Sequence, residues 1–186
     1  MGELFEGRGG LAGHVFVDES KSKGYFLVAS VVVSGDLAAA RSTVRGLLAP
    51  GQKRLHMKSE GDRRRRQILS AFTAIEVQAG VLVADPGHGT DLRRRQACLA
   101  GLVAMIAREG HSHLSLESDE SQDARDRQTL AHLVRGSTCA PDFRYQHRRA
   151  VEEPLLALPD AIAWAYARGG DWKRRAQPLI RQVIDV

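Results

Sequence analysis

The stretch that most restricts what this chain can become runs from His14 to Val33. Val15-Phe16-Val17 is rich in β-branched and aromatic residues and leads straight into Asp18 and Glu19. A short polar loop with a glycine, Ser20 to Gly24, separates it from a second apolar run, Tyr25 to Val33. The spacing predicts a β-hairpin with an acidic pair at the exit of its first strand. Side chains alternate along a strand, so Phe16 and Asp18 share one face while Val17 and Glu19 share the other. Apolar residues on both faces predict a central strand covered on both sides. A carboxylate beside such an interior is costly unless something cationic meets it. Asp18 is therefore the first candidate metal ligand.

The rest of the chain alternates helix and strand signals. Leu37 to Leu48 reads as a helix with Asp36 as its N-cap, stopped by Pro50-Gly51. Asp62 to Phe72 reads as a second helix, and Ile75 to Ala84 as a third strand. Thr90 is positioned to cap a long helix to Glu109, with Gly110 closing it. His113 to Glu117 predicts a fourth strand; if it continues extended to Asp119, Glu117 and Asp119 share a face. A polar helix over Ser121 to Val134, a fifth strand over Phe143 to Gln146 and an apolar helix over Leu155 to Ala167 follow. Trp172 to Val186 reads as amphipathic and helical. Together these give an α/β domain over 14–186 with a mixed five-stranded sheet, an antiparallel hairpin plus parallel strands, flanked by helices. Residues 1–13, polar and glycine-rich, are expected to be a flexible leader. At 186 residues one domain with a substantial core accounts for the chain.

Asp160 is the second acid that stands out. It is the only charge between Glu153 and Arg168, in a segment apolar on both stripes (Leu156, Ala163, Trp164 and Ala167; Leu158, Ala161, Ile162 and Ala165). Two readings are open: a helix N-cap after Pro159, or a buried acid that needs a partner. Pro154, suited to the first helical turn, favours the earlier start and hence the second reading. Asp18-Glu19-Ser20 can likewise be plain turn chemistry, and Glu117 to Glu120 a solvated loop capping the next helix. If the strands bring their carboxyl ends together, Asp18, Glu117 and Asp160 gather there. Converging carboxylates repel one another, and Mg²⁺ or Mn²⁺ suits an all-oxygen donor set. Two such ions about 4 Å apart activate a water and stabilise the leaving oxygen of a phosphodiester.

At this point the sequence resembles a known pattern. Val17-Asp18-Glu19-Ser20, the Tyr25-Phe26 strand after it, Leu55-His56, and Leu158-Pro159-Asp160-Ala161-Ile162-Ala163-Trp164-Ala165 look like a bacterial family, a domain of unknown function. That family carries a strand-end Asp-Glu-Ser and a late-helix Asp, and is similar to RNase H-like nucleases and resolvases. The likeness spans Val15 to Trp172. It implies an RNase H-like fold and metal-binding roles for Asp18, Glu117 and Asp160; the fourth carboxylate of such sites has no matching position here, and Glu19 and Asp119 are its candidates. His56, near Lys58 and Glu60, can orient a phosphate or act in proton transfer, although a lone histidine of this kind is more often plain surface. Members often have glycine where this chain has Lys21.

Charge is compatible with a nucleic-acid partner. The net charge is +5, with basic residues bunched at Arg63 to Arg66, Arg93 to Arg95, Arg148-Arg149 and Lys173 to Arg175. Lys58, Arg63, Arg64, Arg148 and Arg149 are the candidate phosphate contacts, although such clusters are equally solvated helix faces. A homodimer or a cognate partner protein is also compatible with the sequence. No apolar run is long enough to cross a bilayer and no signal-peptide core is present, so a cytoplasmic location is expected. Cys98 and Cys139 form no metal spacing and no disulfide framework. His111 and His113 lack a third ligand for zinc, and no serine sits in a nucleophile elbow. The glycines of the leader do not follow a strand and open a helix, which argues against a dinucleotide site. The expected activity is divalent-metal-dependent cleavage of RNA or DNA. The rival is a catalytically silent module of the same fold that binds nucleic acid or a partner protein. A PIN-like nuclease ranks below both, because a helix rather than a second strand would follow its first acid-bearing strand.

Overall fold

The computed structural model describes residues 12–186; most of the expected leader, residues 1–11, lies outside the described residues. The chain forms β1 (Gly13–Ser20), β2 (Phe26–Val33), α1 (Leu37–Gly46), α2 (Asp62–Phe72), β3 (Val77–Val83) and α3 (Asp91–Glu109). It continues through β4 (His113–Glu117), α4 (Asp123–Arg135), β5 (Arg144–Arg148), α5 (Ala157–Arg168), α6 (Gly170–Ala176) and β6 (Ile180–Asp185). The sheet is mixed and six-stranded, in the order β5-β4-β1-β2-β3-β6. β1, β2 and β3 form an antiparallel meander, β4 and β5 run parallel to β1, and β6 runs parallel to β3.

The hairpin expectation holds in detail. β1 pairs with β2 from Gly13–Val33 to Ser20–Phe26, and β1 lies between β2 and β4. Period-two alternation splits the core across the sheet. Phe16, Phe26 and Val28 pack with buried residues of α1, α2 and α5. Val15, Val17 and Leu27 pack on the other side with Leu99, Leu102 and Ile106 of α3 and Leu130 of α4. Thus Asp18 leaves the sheet toward α5 and Glu19 toward α3, because they continue those two alternating faces.

The helix boundaries follow local chemistry. The Thr90 side chain accepts a hydrogen bond from the Arg93 N–H at the start of α3, and Gly110 adopts the left-handed conformation at its end, φ 70°. Asp36 makes no capping bond, since a short 3₁₀ turn (Ser34–Asp36) already leads into α1. Before α5, Glu153 caps a 3₁₀ turn opened by Pro154 and accepts from the Leu155 N–H. Asp160 is therefore not the cap of its helix; it lies in the first turn of α5.

Two expectations are corrected. The sheet has six strands rather than five, because the segment expected to be one amphipathic helix over 172–186 divides. α6 ends at Ala176, a 3₁₀ turn containing Pro178 breaks the helix, and Ile180–Asp185 joins the edge of β3. Proline removes a backbone donor, and Ile180, Val183 and Ile184 favour the extended state, so edge pairing wins over helix. The second correction concerns Asp119. β4 stops at Glu117, and Asp119 lies in a tight turn where it accepts bonds from the Ser121 N–H (3.0 Å) and hydroxyl (2.7 Å). The two acids do not project side by side from one strand.

Candidate functional site

The parallel register sets Val17 beside Leu116, so the next residues, Asp18 and Glu117, leave neighbouring strands at the same carboxyl edge of the sheet. α5 packs across β1 and β2 on the Asp18 face, and its first turn brings Asp160 over that edge. Three acids from three elements separated in the chain thus come close enough to repel one another. Burial, followed by the charges of Asp160 and Glu117, pushes the Asp18 carboxyl up to about 8. The Glu117 carboxyl is also raised, by burial first and by Asp160, with Arg54 opposing.

The three acids differ in what they touch. Asp160 accepts from the Met57 N–H at 2.8 Å and lies 3.1 Å from His56 Nδ1. That hydrogen bond raises the His56 pKa. Glu117 accepts from Arg54 Nη1 at 2.9 Å. Asp18 accepts only the N–H of Glu19, at 2.8 Å, and among the described residues no cationic side chain pairs with it. It is the acid with no cationic partner.

Asp18 lies between two adjoining clefts. One is lined by Asp18, Glu19, Arg95, Glu117, Ser118 and Asp119. The other, of about 740 Å³, is lined by Asp18, His56, Lys58, Arg65, Asp160 and Trp164 among others. Asp18 keeps its proton toward neutral pH because no cation among the described residues meets it, and hard carboxylate oxygens that only a cation would let ionise are the donor chemistry Mg²⁺ or Mn²⁺ takes. The set is not preassembled: among the described residues no three His, Cys, Asp or Glu side chains stand ready to hold a metal ion. Asp160 is turned into its bonds with His56 and Met57, and Glu117 into its pair with Arg54. The residues suit the ion in chemistry, and Asp160 and Glu117 would exchange a protein partner for it.

Glu19 has a different occupation. It forms an ion pair with Arg95, accepts from the Tyr25 hydroxyl and lies 3.2 Å from Lys21 Nζ. Arg95 is 7% exposed, and its guanidinium also makes a two-pronged contact with Asp126, at 2.8 and 2.6 Å. Asp126 is 3.4 Å from His147 Nε2. Burial works against the Asp126 anion, but bonds from Arg95 and His147 hold its pKa down at about 2. Asp123, next in the chain of contacts, accepts from the Ser118 hydroxyl at 2.6 Å and the Asp119 N–H at 2.9 Å. The network clamps the end of β1 to α3 and α4 and fixes the turn after Glu117.

Most of the arginine blocks are committed to structure. Arg64 bonds the Leu47 carbonyl and lies 3.6 Å from Glu60. Arg149 pairs with Glu152 at 2.5 Å, away from both clefts. Arg148 is half-buried, with its Nε unpartnered. Arg63 is exposed on α2. Of the candidate phosphate contacts, Lys58 alone lines a cleft with the acids.

Several residues at this edge had no counterpart in the sequence reading. Arg54 sits one residue before Leu55-His56, with nothing to mark it. Arg95 did carry a signal: it shares the apolar stripe of α3 with Leu99, Leu102 and Ile106, where an arginine needs buried acids. Lys23 and Arg168 enter the second cleft only through the fold, and the Trp164 ring, which the sequence reads as a core or cap residue rather than a base-stacking platform, lines it too.

No family model matches the sequence, and no curated relative matches it. Among solved structures, the chain is similar to one described as "Structure of the PCNA:RNase HII complex from Archaeoglobus fulgidus". The two are 18% identical, with a TM-score of 0.52, over 85% of this chain and 73% of that one. At that identity the likeness concerns the fold. The chain is a mixed α/β protein whose six-stranded sheet, flanked by helices, resembles that of RNase HII.

Proposed function

We propose that the protein is a divalent-metal-dependent nuclease that cleaves phosphodiester bonds of RNA or DNA at the edge where Asp18, Glu117 and Asp160 converge. The observation that carries this is Asp18, an inward carboxylate repelled by two others and met by no cation. The RNase HII-like fold and the flanking basic residues support it. Asp18, Glu117 and Asp160 would hold Mg²⁺ or Mn²⁺, and the ion would supply an activated water and charge stabilisation at the scissile phosphate. His56 holds Asp160 in orientation and lines the same cleft, where its ring would serve as a proton donor or acceptor. Arg54 holds Glu117 at the edge of the cleft, and Glu117 would give up this pair to hold the ion. Glu19, locked to Arg95, positions the end of β1, and Asp119 shapes the turn behind Glu117. The protein partner class is nucleic acid; among the described residues no helix is long and apolar enough to cross a membrane.

The test is cleavage of labelled single- and double-stranded RNA and DNA with Mg²⁺ or Mn²⁺. Wild-type protein should cut, and Asp18→Asn and Asp160→Asn should each lose at least about a hundredfold in rate, on the scale of a lost group that acts in the transition state. Cutting that survives either substitution overturns the assignment.

A further inference from the structure

We infer that the larger cleft is a binding track for an unpaired nucleic-acid strand, gripped by Lys23, Lys58 and Arg168 and stacked on a fixed Arg65–Trp164 plate. This rests on the nuclease reading for its substrate class and goes beyond it in naming the strand state and the wall that reads it. The first observation is where free positive charge remains. Arg64, Arg65, Arg94, Arg95, Arg149, Arg174 and Arg175 all form ion pairs with carboxylates. Lys23, Lys58 and Arg168 are exposed, form no side-chain ion pair among the described residues, and line the same cleft as Asp18 and Asp160. They rise from three separate segments: the β1–β2 turn, the 3₁₀ turn before α2, and the end of α5. Cations on several sides of an acid-floored cleft suit a polyanion threaded over the acids better than a compact anion.

The second observation is the aromatic wall. The Arg65 guanidinium lies 4.5 Å from the centre of the Trp164 ring, and Trp172 meets Trp164 edge-on at 5.0 Å. Three of the five N–H donors of Arg65 are taken by the Met57 carbonyl (2.9 Å), the Lys58 carbonyl (3.2 Å) and Asp62 (2.7 Å). These bonds from three sides hold the guanidinium plane in place against the Trp164 ring on the cleft wall. Bases stack on indole and guanidinium planes when their own faces are free, which holds for an unpaired strand and not for a duplex. The third observation is Lys23 itself. It adopts the left-handed conformation, φ 58°, in a turn where asparagine or glycine is cheaper.

The experiment is fluorescence anisotropy with 12-nucleotide single strands of DNA and of RNA, and a duplex of the same sequence, in EDTA so that nothing is cut. Single strand should bind at least about tenfold tighter than duplex, the scale of one stacked base. Lys58→Gln and Arg168→Gln should each flatten the plot of log affinity against log salt by about 0.7, one phosphate contact on a single strand. Lys23→Asn should do the same while leaving the melting temperature equal or higher, which separates binding from folding. Trp164→Leu should weaken single-strand binding about tenfold, whereas Trp164→Phe, which keeps a ring, should retain most of it. Duplex binding as tight as single-strand binding, or salt slopes unchanged in the three cation variants, overturns the inference. Tight single-strand binding without cleavage in any metal would remove the nuclease reading and leave this one standing. Cleavage with unaltered variants would do the reverse.

Discussion

Asp18→Asn should make the metal-free protein more stable, with a pH dependence that identifies the cause. The Asp18 carboxyl is raised from 3.8 to about 8 by burial and by the charges of Asp160 and Glu117. A raised carboxyl keeps its proton in the folded state after the unfolded chain has lost it. Folding stability therefore falls as pH rises from about 4 to about 8, by about 1.4 kcal/mol per pH unit. At pH 7 the ionisable side chain costs about 4 kcal/mol relative to a neutral one. Below pH 4 both states are protonated and the penalty vanishes. Asparagine has nearly the same shape and no charge, so it removes the slope. The assay is thermal unfolding of both proteins in EDTA between pH 4 and pH 8.5. At about 2–4 °C per kcal/mol for a chain of this size, the variant should melt about 8–16 °C above wild type at pH 7. The two should coincide near pH 4. With excess Mg²⁺ or Mn²⁺ the gap should narrow, because the ion stabilises only the wild type. A variant that melts at or below wild type at pH 8, or a difference that does not change with pH, refutes the reasoning.

Removing Arg95 should be the most damaging single change outside the apolar core. Arg95→Met strands Asp126 and Glu19 and should cost about 3–5 kcal/mol in urea unfolding, with Arg95→Met/Asp126→Leu recovering part of it. Asp126, held at about 2 against 3.8, contributes stability that is present above pH 4 and lost as pH falls toward 2, so Asp126→Asn should flatten the acid limb of the stability curve. His56 is raised by its bond to Asp160. It adds stability below its unfolded pKa near 6.5, lost as pH rises through the folded value. An NMR titration of the His56 ring should show its pKa fall in Asp160→Asn.

The parts of this fold legible in the sequence are those that local rules determine. The β1–β2 hairpin follows from two apolar runs around a glycine turn, and α2 and α3 from caps and stripes. The opposite directions of Asp18 and Glu19 follow from strand alternation alone, and their separate fates (an acid without a cationic partner and an arginine clamp) arise from that one rule. The edge strand β6 was not legible as such. Ile180-Arg181-Gln182-Val183-Ile184-Asp185 leans toward the extended state but is short and mixed with polar residues, and what decides is the open edge of β3, a tertiary fact. For Asp119 two states were open, an extension of β4 and a polar turn, and the turn wins because it satisfies more hydrogen bonds. The arginine blocks read as a phosphate surface, yet partner acids three or four residues away on the same helix absorb several of them, as in Arg65–Asp62 and Arg175–Asp171. Cations left over by such pairing, Lys23, Lys58 and Arg168, are isolated in sequence and become visible as a group only when the chain is folded.

The most direct measurement is a Mn²⁺ titration followed by electron paramagnetic resonance, which counts ions bound to the protein without requiring a substrate. Wild-type protein should take up Mn²⁺. Asp18→Asn and Asp160→Asn should each lose that binding while staying folded, and Glu152→Gln, on the exposed loop before α5, should keep it. A wild-type protein that leaves all the Mn²⁺ free in solution, or variants that bind it as wild type does, would contradict the account.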